Sequence, residues 1–96
     1  MGACDFFNIA KGATALEAFQ FITEQARWEH GHGGYTGTIA EKHGFRMVAV
    51  PAGREPMEFA QDCLQSSDGF WDDKWGDAGC VDLKDGRFAF FGWASS

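Results

Sequence analysis

The sequence GHGGYTGTIAEKHGFRMVAV, residues 31–50, decides the predicted fold, because a long helical pattern ends at its first residue and two strand patterns follow within it. Residues 35–42 are rich in small and β-branched side chains, which favour a strand. His43-Gly44 suits a two-residue turn, and residues 45–50 then form the returning strand. The stretch therefore predicts a β-hairpin.

Two helical patterns flank this hairpin. The first covers residues 15–30, because Thr14 and Glu17 have the spacing of a capping box and the apolar residues that follow recur at helical spacing. Glycine directly after this pattern suits the left-handed residue that ends many helices. The second helix covers residues 56–65, since Pro56 fits a first helical turn, where its missing N–H has no partner to lose.

Three further strands are predicted, at residues 4–9, 80–84 and 87–93. Asp85-Gly86 between the last two is typical of a tight hairpin turn. Residues 70–79 follow neither the helical nor the strand period, which predicts a loop or an irregular turn.

An internal comparison groups these elements. When the chain is shifted by 42 positions, three glycines and one lysine coincide, and so do the two helix starts. The single domain 1–96 is therefore expected to contain tandem strand–helix–strand units, 3–42 and 45–84, plus a final strand at 87–93. The predicted class is α+β, in the order β-α-β-β-α-β-β. One antiparallel sheet carries both helices on one face, a ferredoxin-like arrangement with an added edge strand.

Net charge and cysteine content exclude several classes of function. The net charge is −6, and the basic residues are single and interleaved with acids, which argues against direct binding of nucleic acid or of an anionic membrane. Three cysteines without a C-x-x-C pair indicate reduced thiols, and no signal peptide or membrane span is visible, so a soluble cytoplasmic protein is expected. A phenylalanine-rich final strand at a sheet edge needs cover, which predicts a homo-oligomer.

Candidate binding residues lie in two segments, residues 31–43 and residues 70–75. Glycines in residues 31–37 fit either a helix cap and bulge or the close approach of a ligand. The aromatic residues of 70–75, beside acids, fit either core packing or an interface anchor. Both segments follow a helix and enter a strand, so we expect them to meet at one end of the sheet. The predicted ligand- or partner-binding residues are His32, Tyr35, Thr36, Thr38, Glu41, Lys42, His43, Phe70, Trp71 and Trp75.

Catalytic chemistry has little support in the sequence. His30, His32 and His43 are the candidate metal ligands, and a catalytic zinc needs three ligands and an open position. His30 and His32 lie on either side of a helix end, so their side chains need not point to one metal ion. The alternative explanation for histidines here is that a protonated imidazole interacts favourably with the negative end of the helix dipole. The cysteines lie in apolar segments, where they act as small hydrophobic residues. No cofactor is predicted, and a non-enzymatic role is favoured.

The segment GHGGYTGTIAEK at residues 31–42 resembles part of small uncharacterised proteins from bacteriophage genomes, and Lys74-Trp75-Gly76 with Gly79 fits the same resemblance. The resemblance covers about a third of the chain and transfers no catalytic residue. It implies a phage accessory protein in the host cytoplasm that inhibits a host defence protein or sequesters a nucleotide-like signal. The alternative is a small metal-dependent enzyme or metal-binding protein that uses the three histidines.

Overall fold

A computed structural model of the chain describes residues 2–30, 38–66 and 69–95. The helices and strands, in chain order, are β1 (Ala3–Lys11), α1 (Ala15–His30), β2 (Phe45–Met47), α2 (Pro56–Gln65), β3 (Ala78–Asp82) and β4 (Arg87–Ser95). Short 3₁₀ turns precede β2, at Ile39–Glu41, and β3, at Phe70–Asp72. The α+β class is confirmed, and both helices have the bounds that the sequence predicts.

The four strands form one mixed sheet in the order β1-β4-β3-β2. β4 pairs antiparallel with β1 over nine residues and with β3 on its other side, whereas β2 and β3 run parallel. The prediction of a purely antiparallel sheet is therefore wrong. The physical reason is that α2 lies between β2 and β3 and serves as the crossover connection that a parallel pair requires.

The sheet is covered by one helix on each face, which corrects the prediction of both helices on one face. Along β4, Phe88 and Phe90 pack with α1, while Ala89 and Phe91 pack with α2. Side chains of a strand alternate between faces, so a strand buried on both sides is apolar at consecutive positions. β4 is therefore a central strand, and the prediction that it forms a sheet edge is wrong. The homo-oligomer inferred from that edge stays a prediction.

The predicted strand at 35–42 is replaced, in its described part, by a 3₁₀ turn. The side-chain oxygen of Thr38 accepts a hydrogen bond from the backbone N–H of Ala40 at 3.2 Å, which begins the turn. Ile39 at its start is fully buried in the α1-side core. The predicted hairpin at His43-Gly44 therefore does not form, and β2 instead pairs with β3. The proposed equivalence of the two tandem units stays a prediction.

Candidate functional site

Lys42 joins the two predicted binding segments. Its side chain is 2% exposed, and Nζ donates hydrogen bonds to the carbonyl oxygens of Asp73 (3.2 Å), Lys74 (3.3 Å) and Gly76 (2.8 Å). An ammonium group has three donors, so this set uses all of them. Burial lowers the pKa of Lys42, and the carboxylates of Asp73 and Asp77 oppose that shift. Lys42 therefore fastens its own segment to the loop before β3 and does not offer its charge to a ligand.

The described part of the first segment, residues 38–43, lies at the same end of the sheet as the second segment, although for a different reason from the one that the sequence suggests. β2 and β3 run parallel, and Phe45 is paired with Ala78 at their starts. The backbone N–H of Ala78 also donates to the carbonyl of Gly44 at 3.1 Å. The turns that precede two parallel neighbours must emerge side by side. We call the surface formed by residues 43–46 and 69–77 the junction surface.

Trp71 is half-buried and packs against the α2-side core. Its ring meets that of Phe91 edge-on, with 5.4 Å between centroids. Its indole N–H donates to the carbonyl of Cys63 at 2.7 Å. That carbonyl lies in the last turn of α2 and also accepts from the backbone N–H of Ser66 at 3.0 Å. Trp71 thus fixes the end of α2 against the sheet, in agreement with the core-packing interpretation.

Trp75 is the exposed aromatic residue of the junction surface, at 64% exposure. The turn that carries it is closed by two local hydrogen bonds: its backbone N–H donates to the Asp73 carboxylate at 2.9 Å, and the Gly76 N–H donates to the Asp73 carbonyl at 3.0 Å. The Lys74 ammonium lies 5.4 Å from the ring centroid. Together with the hydrogen bonds from Lys42 to the backbone of the same turn, these contacts hold the turn that exposes the Trp75 ring.

A concavity of about 410 Å³ lies beside this turn. It is lined by Arg46, Gly69, Phe70, Asp72, Asp73, Gly76 and Asp77. The Arg46 guanidinium lies 5.3 Å from the Phe70 ring centroid and donates to the Asp77 carboxylate at 3.1 Å. The lining carries three carboxylates and one guanidinium, and the buried Lys42 ammonium lies near two of these carboxylates, so an excess of negative charge remains that favours a basic group over a phosphate.

The remaining predicted residues are divided between described and undescribed parts of the chain. Thr38 and Glu41 are half-buried at the first 3₁₀ turn, and His43 is exposed beside it. Three others, His32, Tyr35 and Thr36, lie outside the described residues.

The same gap limits the metal hypothesis. The side chain of His30 also lies outside the described part, and within that part no three His, Cys, Asp or Glu side chains are grouped to hold a metal ion. Metal binding by His30, His32 and His43 stays a prediction. Elemental analysis of untagged protein tests it, with His32→Ala as the matched variant.

The two buried thiols are poor nucleophiles. Burial raises the pKa of Cys80 to about 12 and also raises that of Cys63. Nucleophilic attack requires the thiolate, which such pKa values keep scarce at neutral pH. Both residues pack in the core, as the sequence predicts, whereas Cys4, for which the same was expected, is exposed.

Sequence reasoning missed Arg46 and Asp77. They lie on segments far apart in the chain, and only the parallel pairing of β2 with β3 brings them together. No periodicity within either segment signals that pairing.

In the described ranges neither helix has the length and apolarity that crossing a bilayer requires. No protein-family model, curated protein or solved structure matches the chain.

Proposed function

We propose that this protein is a non-enzymatic binding module that contacts a basic region of a partner protein through the junction surface. The observation that supports it best is Trp75, an exposed tryptophan on a turn held by the buried ammonium of Lys42. Tryptophan is enriched among the residues that dominate binding energies. A turn that is already ordered loses little conformational entropy on binding.

Charge favours a protein with a basic surface as the partner. The chain carries a net charge of −6, and three carboxylates line the concavity beside Trp75. Complementary charge accelerates encounter and excludes acidic partners. A nucleotide-like ligand has less support at this surface, because Lys42 is used internally and Arg46 is paired with Asp77. With the phage resemblance, the proposed partner is a host protein, such as a defence protein, that binding would inhibit.

The role of Trp75 as the binding anchor is tested in two steps. A partner is first recovered from infected cells by co-purification with the tagged protein, and its affinity for the purified protein is then measured. Trp75→Ala should weaken binding by about 2 kcal/mol or more, roughly 30-fold, as truncation of a hot spot does. Tyr35→Ala tests the predicted segment outside the described residues. Phe21→Ala is the matched control, since Phe21 is also an exposed ring, at 56%, but lies on α1. Binding by a folded Trp75→Ala protein that equals the parent's would place the site elsewhere.

The proposal that the carboxylates beside Trp75 attract a basic partner is tested by association kinetics. Asp72→Asn should lower the association rate at low ionic strength and flatten its dependence on salt, while the dissociation rate changes little. Glu24→Gln removes one exposed carboxylate from α1 and serves as the matched control. Equal effects of the two variants would indicate that only net charge matters, and no effect of either would exclude a basic partner surface at this site.

A further inference from the structure

β1 is an edge strand, and its outer side is unpaired within the part of the chain that the structure describes. It is nine residues long and contains no proline, and its only charged residues are Asp5 and Lys11. About half of its backbone N–H and C=O groups point away from β4, as in any antiparallel pair. Proteins usually shorten, charge or cover such an edge, because it invites pairing with another strand.

We propose that β1 pairs antiparallel with β1 of a second copy of this chain, around a twofold axis at Asn8, so that two four-stranded sheets become one continuous sheet. The occupant is a second copy because β1 is self-complementary in one register. This inference is independent of the proposed function, which uses residues 43–46 and 69–77 and no residue of β1.

Charge selects the register. An axis at Asn8 sets Asp5 opposite the partner's Lys11 and Lys11 opposite the partner's Asp5, which gives two symmetric ion pairs. Moving the axis by one residue to Phe7 sets Asp5 opposite the partner's Ile9. Moving it by one residue the other way carries Asp5 beyond the end of the partner's strand. Only the axis at Asn8 pairs both charges of β1.

The side chains on each face also match in this register. Phe7 packs in the α2-side core, so the other odd-numbered residues of β1 face that side too. There the register sets Phe7 opposite the partner's Ile9, and covers Ile9, which is 37% exposed in the single chain. The ion pairs of Asp5 and Lys11 flank these apolar pairs. On the other face Asn8 meets the partner's Asn8, and an amide can both donate and accept.

Neither helix closes over this edge. A cavity of about 520 Å³ lies between β1 and α2, lined by Asp5, Phe7, Gln61, Leu64, Gln65 and Trp93. A second, of about 350 Å³, lies on the α1 side of the same strand and includes Phe6 and Asn8 in its lining. As far as residues 2–30, 38–66 and 69–95 show, space for the side chains of an added strand is therefore present on both faces of the sheet.

The first experiment is a charge swap measured by sedimentation equilibrium on the full chain. Asp5→Lys and Lys11→Asp should each weaken the dimer about tenfold, because each creates two like-charge pairs, and the double swap should restore the parent affinity. The two single variants change net charge in opposite directions, so weakening by both cannot be a net-charge effect. Glu24→Lys on α1 is the control and should leave the dimer unchanged.

The second experiment traps the register with a disulfide in a Cys4→Ser background. Asn8→Cys should cross-link two copies under mild oxidation with copper phenanthroline, since the two thiols face each other at the axis. Ile9→Cys should not, because its two copies are diagonal and their Cα atoms lie beyond the roughly 7 Å that a disulfide spans.

Several results would overturn the proposal. One is a mass of 10.6 kDa at every concentration up to about 1 mM, the range of weak association. Others are a dimer that is insensitive to both charge substitutions, or cross-linking of Ile9→Cys as fast as that of Asn8→Cys. A monomer that binds an extended strand of a different protein along β1 would also overturn it.

Discussion

Replacing Lys42 by methionine tests whether this buried ammonium organises the junction surface. Methionine is unbranched and of similar length, so the apolar part of the side chain keeps its packing. The three hydrogen bonds to the carbonyls of Asp73, Lys74 and Gly76 are lost. The variant thus removes the hydrogen bonds by which Lys42 fastens its segment to the loop before β3, and it leaves the ion pair of Arg46 with Asp77 in place.

The expected loss follows from the structure. A hydrogen bond to a charged group contributes about 1.5–3 kcal/mol. Three such bonds would give a larger sum, but two effects reduce it. Asp73 is exposed, so water can replace part of what its carbonyl loses. The variant also no longer buries a charge, whose desolvation lowers the pKa of Lys42. We expect a net loss of about 3 kcal/mol in the free energy of unfolding, and a fall in Tm of about 15 °C.

The measurement is urea unfolding followed by tryptophan fluorescence, since the chain has four tryptophans. Lys74→Met is the matched control, because Lys74 lies in the same turn and its ammonium contacts only the Trp75 ring among the partners described. It should lose less than about 1 kcal/mol. Faster hydrogen exchange at the Gly76 amide would locate the effect of Lys42→Met. A Lys42→Met protein as stable as Lys74→Met would refute the reasoning.

Three further substitutions test the core around this site by urea unfolding. Gly79→Ala should lose about 2 kcal/mol, because its new Cβ would lie 2.6 Å from Cε1 of the fully buried Phe91; parental stability would mean that the ring can move aside. Trp71→Phe should lose at least about 1 kcal/mol, because the smaller phenyl ring fills less of the space beside Phe91 and the bond from the indole N–H to the Cys63 carbonyl is lost; parental stability would mean that the Ser66 N–H alone satisfies that carbonyl. The folded state holds the Cys80 proton to a pKa of about 12, against 9.0 for an ordinary thiol, so stability should fall as pH rises through this window. The fall should approach 1.4 kcal/mol per pH unit and be smaller in Cys80→Ala; equal slopes in both proteins would contradict this.

Features fixed by neighbouring residues could be predicted from the sequence. Pro56 marks the start of α2, and Asp85-Gly86 connects two antiparallel strands, with Gly86 at a positive φ of 86°. The sheet order could not be read in this way, because the pairing of β1 with β4 joins residues at opposite ends of the described chain. One signal was available: Phe88 to Phe91 are apolar at consecutive positions, a pattern typical of a strand covered on both faces.

The candidate site, too, could be predicted from the sequence only in part. That the segments around Lys42 and Trp75 meet follows from the order of the elements, and the structure brings them together. Which residues remain exposed depends on tertiary packing. A lysine is seldom buried, so the sequence favours Lys42 as a surface charge. Trp71 and Trp75 are the same residue type four positions apart, and only the position of α2 makes the first half-buried against the core while the second stays exposed.

The central position of β4 has a consequence for the order of folding. β1 and β3 share no backbone hydrogen bonds with each other, and each depends on β4 as its antiparallel neighbour. β4 is the last of the four strands to be synthesised, so β1 must wait for almost all of the intervening chain before it can pair. Contacts of such long sequence separation slow folding, because loop closure precedes any gain from pairing. During synthesis Phe6 and Phe7 therefore stay without their sheet partners until β4 is available, whereas β2 and β3 pair with each other and do not need it.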